Sequence, residues 1–373
     1  MEDKQNYLLN PFQIDIDPME KLLLINFEKD PDDTYLGFEP QVFEEGENGR
    51  GHLILGWRKD GKVDVYHQPT LKLDPKKYDI AGKGLANMIE RELTAAYYEV
   101  NNEGVQAFYQ FKDIFEREIS IKIKEFNTKK RKPFSLLAPM GDAAENPSAL
   151  PLILLYDFYF VRKKQTDIRI SINGRSHKPD ELPVPMDGRR MLYSRYSLKP
   201  LIVKFNPEKN EEIKLLKIIH LGKKIKTNDC DIEMKWTDSL PSIKTITRRN
   251  PVYPVNLTFD PSFPNIIALE DKDVIEGQFA ITAHPSSGSI GGNYKVEKKG
   301  SVTQVKLHPS DGWMPIPTKM SLKFLYSVGK IFKNWPKTYE WTGYIKENEQ
   351  QFYCIQSEWK RINKNEFYKQ DKL

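Results

Sequence analysis

Apolar and polar residues alternate along most of this chain, and tight-turn signals separate the alternating runs. Lys59-Asp60-Gly61-Lys62 lies between Trp57 and the run Val63–His67. Asn101-Asn102-Glu103-Gly104 separates Ala96–Val100 from Val105–Phe111. Asn173-Gly174 follows Ile168-Arg169-Ile170-Ser171-Ile172. Lys298-Lys299-Gly300 and Asn348-Glu349-Gln350 punctuate the second half in the same way. Asp-Gly and Asn-Gly supply the positive φ that hairpin turns need, and period-two flanks read as strands with one buried face. The pattern predicts an all-β protein built from antiparallel hairpins.

In the first half, strands are expected at Leu22–Phe27, Gly51–Trp57, Val63–Gln68, Ala95–Val100, Val105–Phe111, Ile119–Phe126, Leu152–Val161 and Ile168–Ile172. In the second half they are expected at Ile213–His220, Asp231–Trp236, Val255–Phe259, Ile275–Ala283, Tyr294–Val296, Val302–His308, Tyr339–Ile345 and Phe352–Ile362. Two segments have helical spacing instead. Leu85, Met88, Ile89 and Leu93 predict a short helix. Thr318–Trp335 puts Met320, Phe324, Val328, Ile331 and Trp335 on one helical face, and Pro336 supplies a stop. Residues 1–20, with Pro11 and Pro18, are expected to lie as an extended arm over the first half. The charged, proline-containing run Asn206–Glu212 marks a boundary, giving domains 1–205 and 206–373. Two tandem antiparallel β-barrels or sandwiches, lipocalin-like, with one or two short helices, are the expected architecture, because closing or stacking sheets leaves few open edges.

Composition adds bounds rather than an activity. A chain of 373 residues exceeds what one core usually supports. The formal charge of +5 is mild, since 57 basic residues face 52 acidic ones. The densest basic run, Lys129-Lys130-Arg131-Lys132, precedes Pro133 and reads as a solvated loop, so no nucleic-acid partner is expected. Cys230 and Cys354 provide no disulfide framework, although nothing forbids their pairing. The charged N-terminus lacks the apolar core of a signal peptide. The most apolar stretch, Leu150–Val161, is too short to span a bilayer and contains Asp157. A soluble, cytoplasmic protein without an integral membrane segment is expected. Six scattered histidines give no ligand spacing, and no cofactor or metal is expected.

Alternation also sorts candidate site residues onto faces. Val63, Val65 and His67 share one face, and Val105, Ala107, Tyr109, Phe111 and Asp113 share another. Ile119, Ile121, Ile123 and Glu125 form a third row. Each apolar row ends in a polar or ionisable group, as the mouth of a barrel that binds an apolar body with one polar end would require. Tyr98 lies on the strand paired with that of Tyr109. The loop Pro185–Arg190 offers Arg189, whose paired donors suit an anionic group. His67, Tyr98, Tyr109, Phe111, Asp113 and Arg189 are therefore the candidate ligand-binding residues. The plainer reading is that such residues mark where strands leave the core.

The hairpin Gly104-Val105-Gln106-Ala107-Phe108-Tyr109-Gln110-Phe111-Lys112-Asp113, running into Arg117-Glu118-Ile119, resembles one that ends a barrel strand and begins the next in two-domain lipocalin-like proteins of the hydroxyneurosporene-synthase (carotenoid hydratase) group. The resemblance is architectural and covers roughly residues 20–362. It implies an apolar ligand such as a lipid, terpenoid or polyene, with isomerase or hydratase chemistry as an option. No catalytic motif of that group is matched residue by residue, so no catalytic residue is assigned.

Three further features carry alternatives. The loop Pro139–Asn146, with Asp142 and Glu145, and Asp187 beside Arg189 are long-loop positions of the kind that carry function, or ordinary turn caps. His284-Pro285-Ser286-Ser287-Gly288-Ser289-Ile290-Gly291-Gly292 is glycine- and serine-rich but lacks the ending of a phosphate-binding loop. Trp313, Trp335, Trp341, Trp359, Tyr339 and Tyr353 could stack on sugar rings if exposed, giving a carbohydrate-active alternative, or pack the core. A structural or interaction protein with filled barrels is the third possibility.

Overall fold

The computed structural model describes residues 6–362, apart from 45–47, 80, 129–131, 139–144, 184, 187, 219–221, 252, 318, 329 and 349–351. Lys129, Lys130, Arg131, Asp142, Asp187, His220, Glu349 and Gln350 therefore lie outside the described residues. Among the described residues the chain forms 26 strands and two short α-helices, an all-β protein. The turn signals act as the sequence requires. Trp57 pairs with Val63, Asn101 with Gly104, Ile172 with Arg175 and Lys299 with Val302. Gly61, Asn173, Gly174 and Gly300 supply φ of 84°, 51°, 79° and 57°.

Two sheets stack in the first half. The front sheet has nine strands, running Phe134–Ala138, Leu150–Arg162, Met191–Phe205, Lys21–Asn26, Tyr35–Phe43, Gly51–Arg58, Val63–His67 and Leu85–Glu90, with Ile14–Pro18 added on Met191–Phe205. The back sheet has five strands, Arg175–His177, Thr166–Ile172, Glu118–Glu125, Gly104–Lys112 and Ala95–Asn101. A buried layer joins them, containing Ile25, Phe38, Ile54 and Tyr66 of the front sheet and Tyr98, Tyr109, Phe111 and Ile121 of the back. The Tyr66 and Phe111 rings are 5.0 Å apart across it. Alternation fixes which side chains enter: Tyr109 and Phe111 are buried, while Phe108 and Gln110 on the opposite face are half-buried.

The second half contributes a ten-stranded antiparallel sheet from Lys209–Ile213 and Lys224–Lys226 through Tyr353–Arg361. Buried and half-buried residues alternate along its inner strands, as in Val302–Met314, where Val305 and Leu307 point inward. That face merges with the front side of the nine-stranded sheet in one large core. No ladder joins the end strands of any large sheet among the described residues, so the sheets pack without closing into barrels.

Four expectations are corrected. The segment Leu85–Glu90 is not a helix but a strand, parallel to Val63–His67. Gly82 and Gly84 precede it at φ 59° and 109°, which excludes a helical start, and every residue from Leu85 to Ile89 is half-buried, so no periodicity marks the strand. Within the expected helix the chain forms α1 (Met320–Val328) and α2 (Lys330–Asn334), but α1 buries Leu322 and Tyr326, whereas Met320 and Phe324 point to solvent, and the side chains of Val328 and Ile331 lie outside those described. The charged run after Asn206 becomes the strand Lys209–Ile213, paired with Tyr353–Arg361. The N-terminal arm does not simply cover the first half. Tyr7 and Leu8 pair with Lys217 and Leu216, and the Phe12 ring lies 4.8 to 5.9 Å from those of Phe259, Phe263 and Trp341. Only at Ile14–Pro18 does the arm return to the front sheet. Cys230 and Cys354 are free thiols. No helix among the described residues is long and apolar enough to cross a membrane.

Candidate functional site

The front sheet turns its second face toward a cavity of about 620 Å³. Strands Lys21–Asn26, Tyr35–Phe43, Gly51–Arg58, Phe134–Ala138, Leu150–Arg162 and Met191–Phe205 all contribute to its wall. Leu24, Leu55, Ile153, Leu155, Phe160 and Ile202 represent an apolar lining of the size that drug-like ligands occupy. Two elements cover the sheet there. One is the segment from the short turn Pro75–Lys77 to Gly84, which brings Tyr78 and Ala81 to the cavity. Gly82 lets this segment touch the hairpin at Gly61, since a Cβ at Gly82 would sit 2.4 Å from the Gly61 carbonyl oxygen. The other cover is α1 and α2, through Leu325 and Phe332.

One part of the wall is polar. Glu39 and Gln41 alternate with Pro40 and so share a face of Tyr35–Phe43, and each is only 3% exposed. Gln41 Nε2 donates to Glu39 Oε1 at 2.8 Å, and Trp57 Nε1 donates to Glu39 Oε2 at 3.1 Å. Burial pushes the Glu39 carboxyl up to about 7, with the two donors and the Arg195 charge acting in the opposite sense. Arg195 Nη1 donates to Asn26 Oδ1 at 2.7 Å and to the Tyr193 carbonyl at 3.1 Å, and its guanidinium lies 4.3 Å from the centre of the Tyr193 ring. Asn26 in turn donates to Glu28 at 2.8 Å. Gln41 Oε1 is buried and has no hydrogen-bond partner among the described residues. A buried amide oxygen without a donor carries a desolvation penalty that a ligand hydroxyl or amide N–H would relieve.

The residues singled out by sequence lie elsewhere. Tyr98, Tyr109 and Phe111 are brought together, but in the layer between the two stacked sheets. Tyr98 Oη donates to the Leu22 carbonyl at 2.9 Å, and Tyr109 Oη is 3.0 Å from His52 Nδ1. Asp113 closes that layer at one end. It accepts from the Phe115 and Arg117 amides at 2.8 and 2.9 Å and from Arg117 Nε at 2.8 Å. Arg117 continues to Asp32 at 3.1 Å. A neighbouring buried cluster links Asp64 to Tyr35, Arg58 and Asn87. Asp113 and Glu125 sit at opposite ends of their strands, and Glu125 accepts from the Val105 and Arg162 amides. His67 faces the other side of the front sheet, with Nδ1 3.0 Å from the Gln68 carbonyl oxygen. Arg189 lies in a tight turn that pairs it with Met186. None of these six residues lines the cavity.

The remaining sequence features resolve as structure. Ser286 Oγ comes within 2.6 Å of His284 Nδ1, but the same nitrogen accepts the Ser286 amide at 3.0 Å and caps the turn Pro285–Ser287. All four tryptophans and both tyrosines considered for sugar stacking are buried. Among the described residues no group of three His, Cys, Asp or Glu side chains could hold a metal ion. Sequence reading missed the cavity's polar residues because neither Tyr35–Phe43 nor Met191–Phe205 was expected as a strand. Their signal is the alternation Phe38-Glu39-Pro40-Gln41-Val42 and that of Arg195 with Tyr196. No protein-family model, curated protein or solved structure matches the chain.

Proposed function

We propose that the protein binds an apolar small molecule with one polar group in the cavity of the front sheet. The observation that carries this reading is the partnerless Gln41 oxygen, set beside Glu39 and Arg195 in an otherwise apolar wall. The apolar lining supplies affinity by area, and the polar cluster supplies orientation. A hydroxyl at the ligand's end would donate to Gln41 and accept from Arg195. The ligand class, a lipid, terpenoid or polyene, is the one implied by the resemblance to two-domain lipocalin-like proteins. A second reading, isomerase or hydratase chemistry on the bound ligand, is favoured by Glu39. A carboxyl held at about 7 exchanges its proton near neutral pH, as a general acid or base must.

Competition against an apolar fluorescent probe tests the polar contact. A long-chain alcohol and the hydrocarbon of the same length should both displace the probe. Gln41→Leu should weaken the alcohol about tenfold, the value of one lost hydrogen bond, and leave the hydrocarbon unchanged. Equal weakening of both would remove the polar-end assignment. Failure of every apolar compound to bind would overturn the proposed function.

A further inference from the structure

Helix α1 has two apolar faces, and the fold uses one. Leu322 and Tyr326 are buried, with the Tyr326 ring 5.0 Å from Trp313 and 5.5 Å from Phe332. Leu325 lines the cavity. On the outer face Met320 is 83% exposed and Phe324, four residues on, is 54% exposed. The segment leading into the helix adds Met314 and Ile316, 43% and 56% exposed. Isolated exposed apolar residues need no explanation, but four large ones within residues 314–324 mark an interaction surface.

Charge identifies the partner. From Gly312 to Tyr339 the sequence contains Lys319, Lys323, Lys330, Lys333 and Lys337, and no aspartate or glutamate. Lys323 and Lys333 are exposed. An ordinary solvated helix mixes both signs of charge, whereas one that lies in a bilayer interface sets lysines around an apolar ridge. Lysine stems reach up to phosphates while the ridge enters the headgroup boundary.

The geometry points to docking of this face on an anionic lipid bilayer, with Met320 and Phe324 inserted and Lys323 and Lys333 on the headgroups. The cavity lies on the other side of the same helix. If the cavity binds an apolar ligand as proposed, docking would set the site against the phase where apolar ligands reside.

Co-sedimentation of the full chain with vesicles tests the proposal. Vesicles containing phosphatidylserine should bind about tenfold better than vesicles of phosphatidylcholine alone. Lys323→Gln should lower that affinity about fivefold. The double variant Met320→Glu/Phe324→Glu should remain in the supernatant. Both side chains face solvent, so its circular dichroism and its affinity for an apolar probe should match the unaltered protein. Absence of vesicle binding, or pelleting of the double variant like the parent, would overturn the docking face. So would stronger association with polyglutamate than with anionic vesicles, which would assign the face to an acidic protein. Vesicle binding without probe binding would leave docking standing and remove the ligand reading alone.

Discussion

Glu39→Gln should stabilise the protein at alkaline pH relative to acid pH, by about 3 kcal/mol between pH 4 and pH 8. Burial raises the Glu39 carboxyl from its ordinary 4.5 to about 7. Between those values the folded state holds a proton that the unfolded state has lost, so this group's contribution to stability falls as pH rises through the interval. Below 4.5 both states are protonated and nothing is lost, and above about 7 the full cost remains. At 1.36 kcal/mol per pH unit the interval is worth about 3 kcal/mol. Glutamine keeps one acceptor oxygen, for Trp57, and its NH2 group can donate to the Gln41 amide oxygen once that amide turns over, without the charge. Denaturant titrations of both proteins across this range measure the difference. An unchanged difference from pH 4 to pH 8 would mean that Glu39 is not held protonated by its site.

Asp113→Ala should cost about 3 kcal/mol, the lower end of the range for breaking a buried ion pair, because Arg117 keeps partial access to water. The substitution removes the acceptor for two backbone amides as well as for the guanidinium. At matched folded fraction, affinity for an apolar probe should not change, since Asp113 belongs to the layer between the sheets. A loss below about 1 kcal/mol, or a fall in probe affinity with stability intact, would contradict the structural role assigned to it.

These two carboxylates show what the sequence makes legible. Asp113 ends a clean alternating row, so its strand, its face and its burial can be read, but not the partner that satisfies it. Arg117 is only four residues away, yet Asp32, which completes the network, is distant in the chain. Glu39 is harder. In Tyr35-Leu36-Gly37-Phe38-Glu39-Pro40-Gln41-Val42-Phe43, glycine and proline weaken the strand signal. Glu39 and Gln41 then occupy the alternating positions that normally face solvent. Only long-range pairing shows that this face is roofed by Tyr78, Ala81, Leu325 and Phe332. Hairpins such as Asn173-Gly174 are local and were readable. The cavity is assembled from segments up to three hundred residues apart, and no local pattern encodes it. The same holds for Phe12, whose partners Phe259, Phe263 and Trp341 lie in the other half of the sequence.

We propose the cavity, and not the layer between the stacked sheets, as the place that receives an apolar ligand. The most direct measurement is fluorescence titration of an apolar probe with the parent protein and with Ala138→Trp and Ile202→Trp, which place an indole in the cavity from two strands. Both residues line it and are only half-buried, so larger side chains can be accommodated within the empty space. Saturable binding by the parent is expected, with a loss of about tenfold or more in each filled variant, about 1.4 kcal/mol, and with folding retained. Probe affinity unchanged in both folded variants would contradict it.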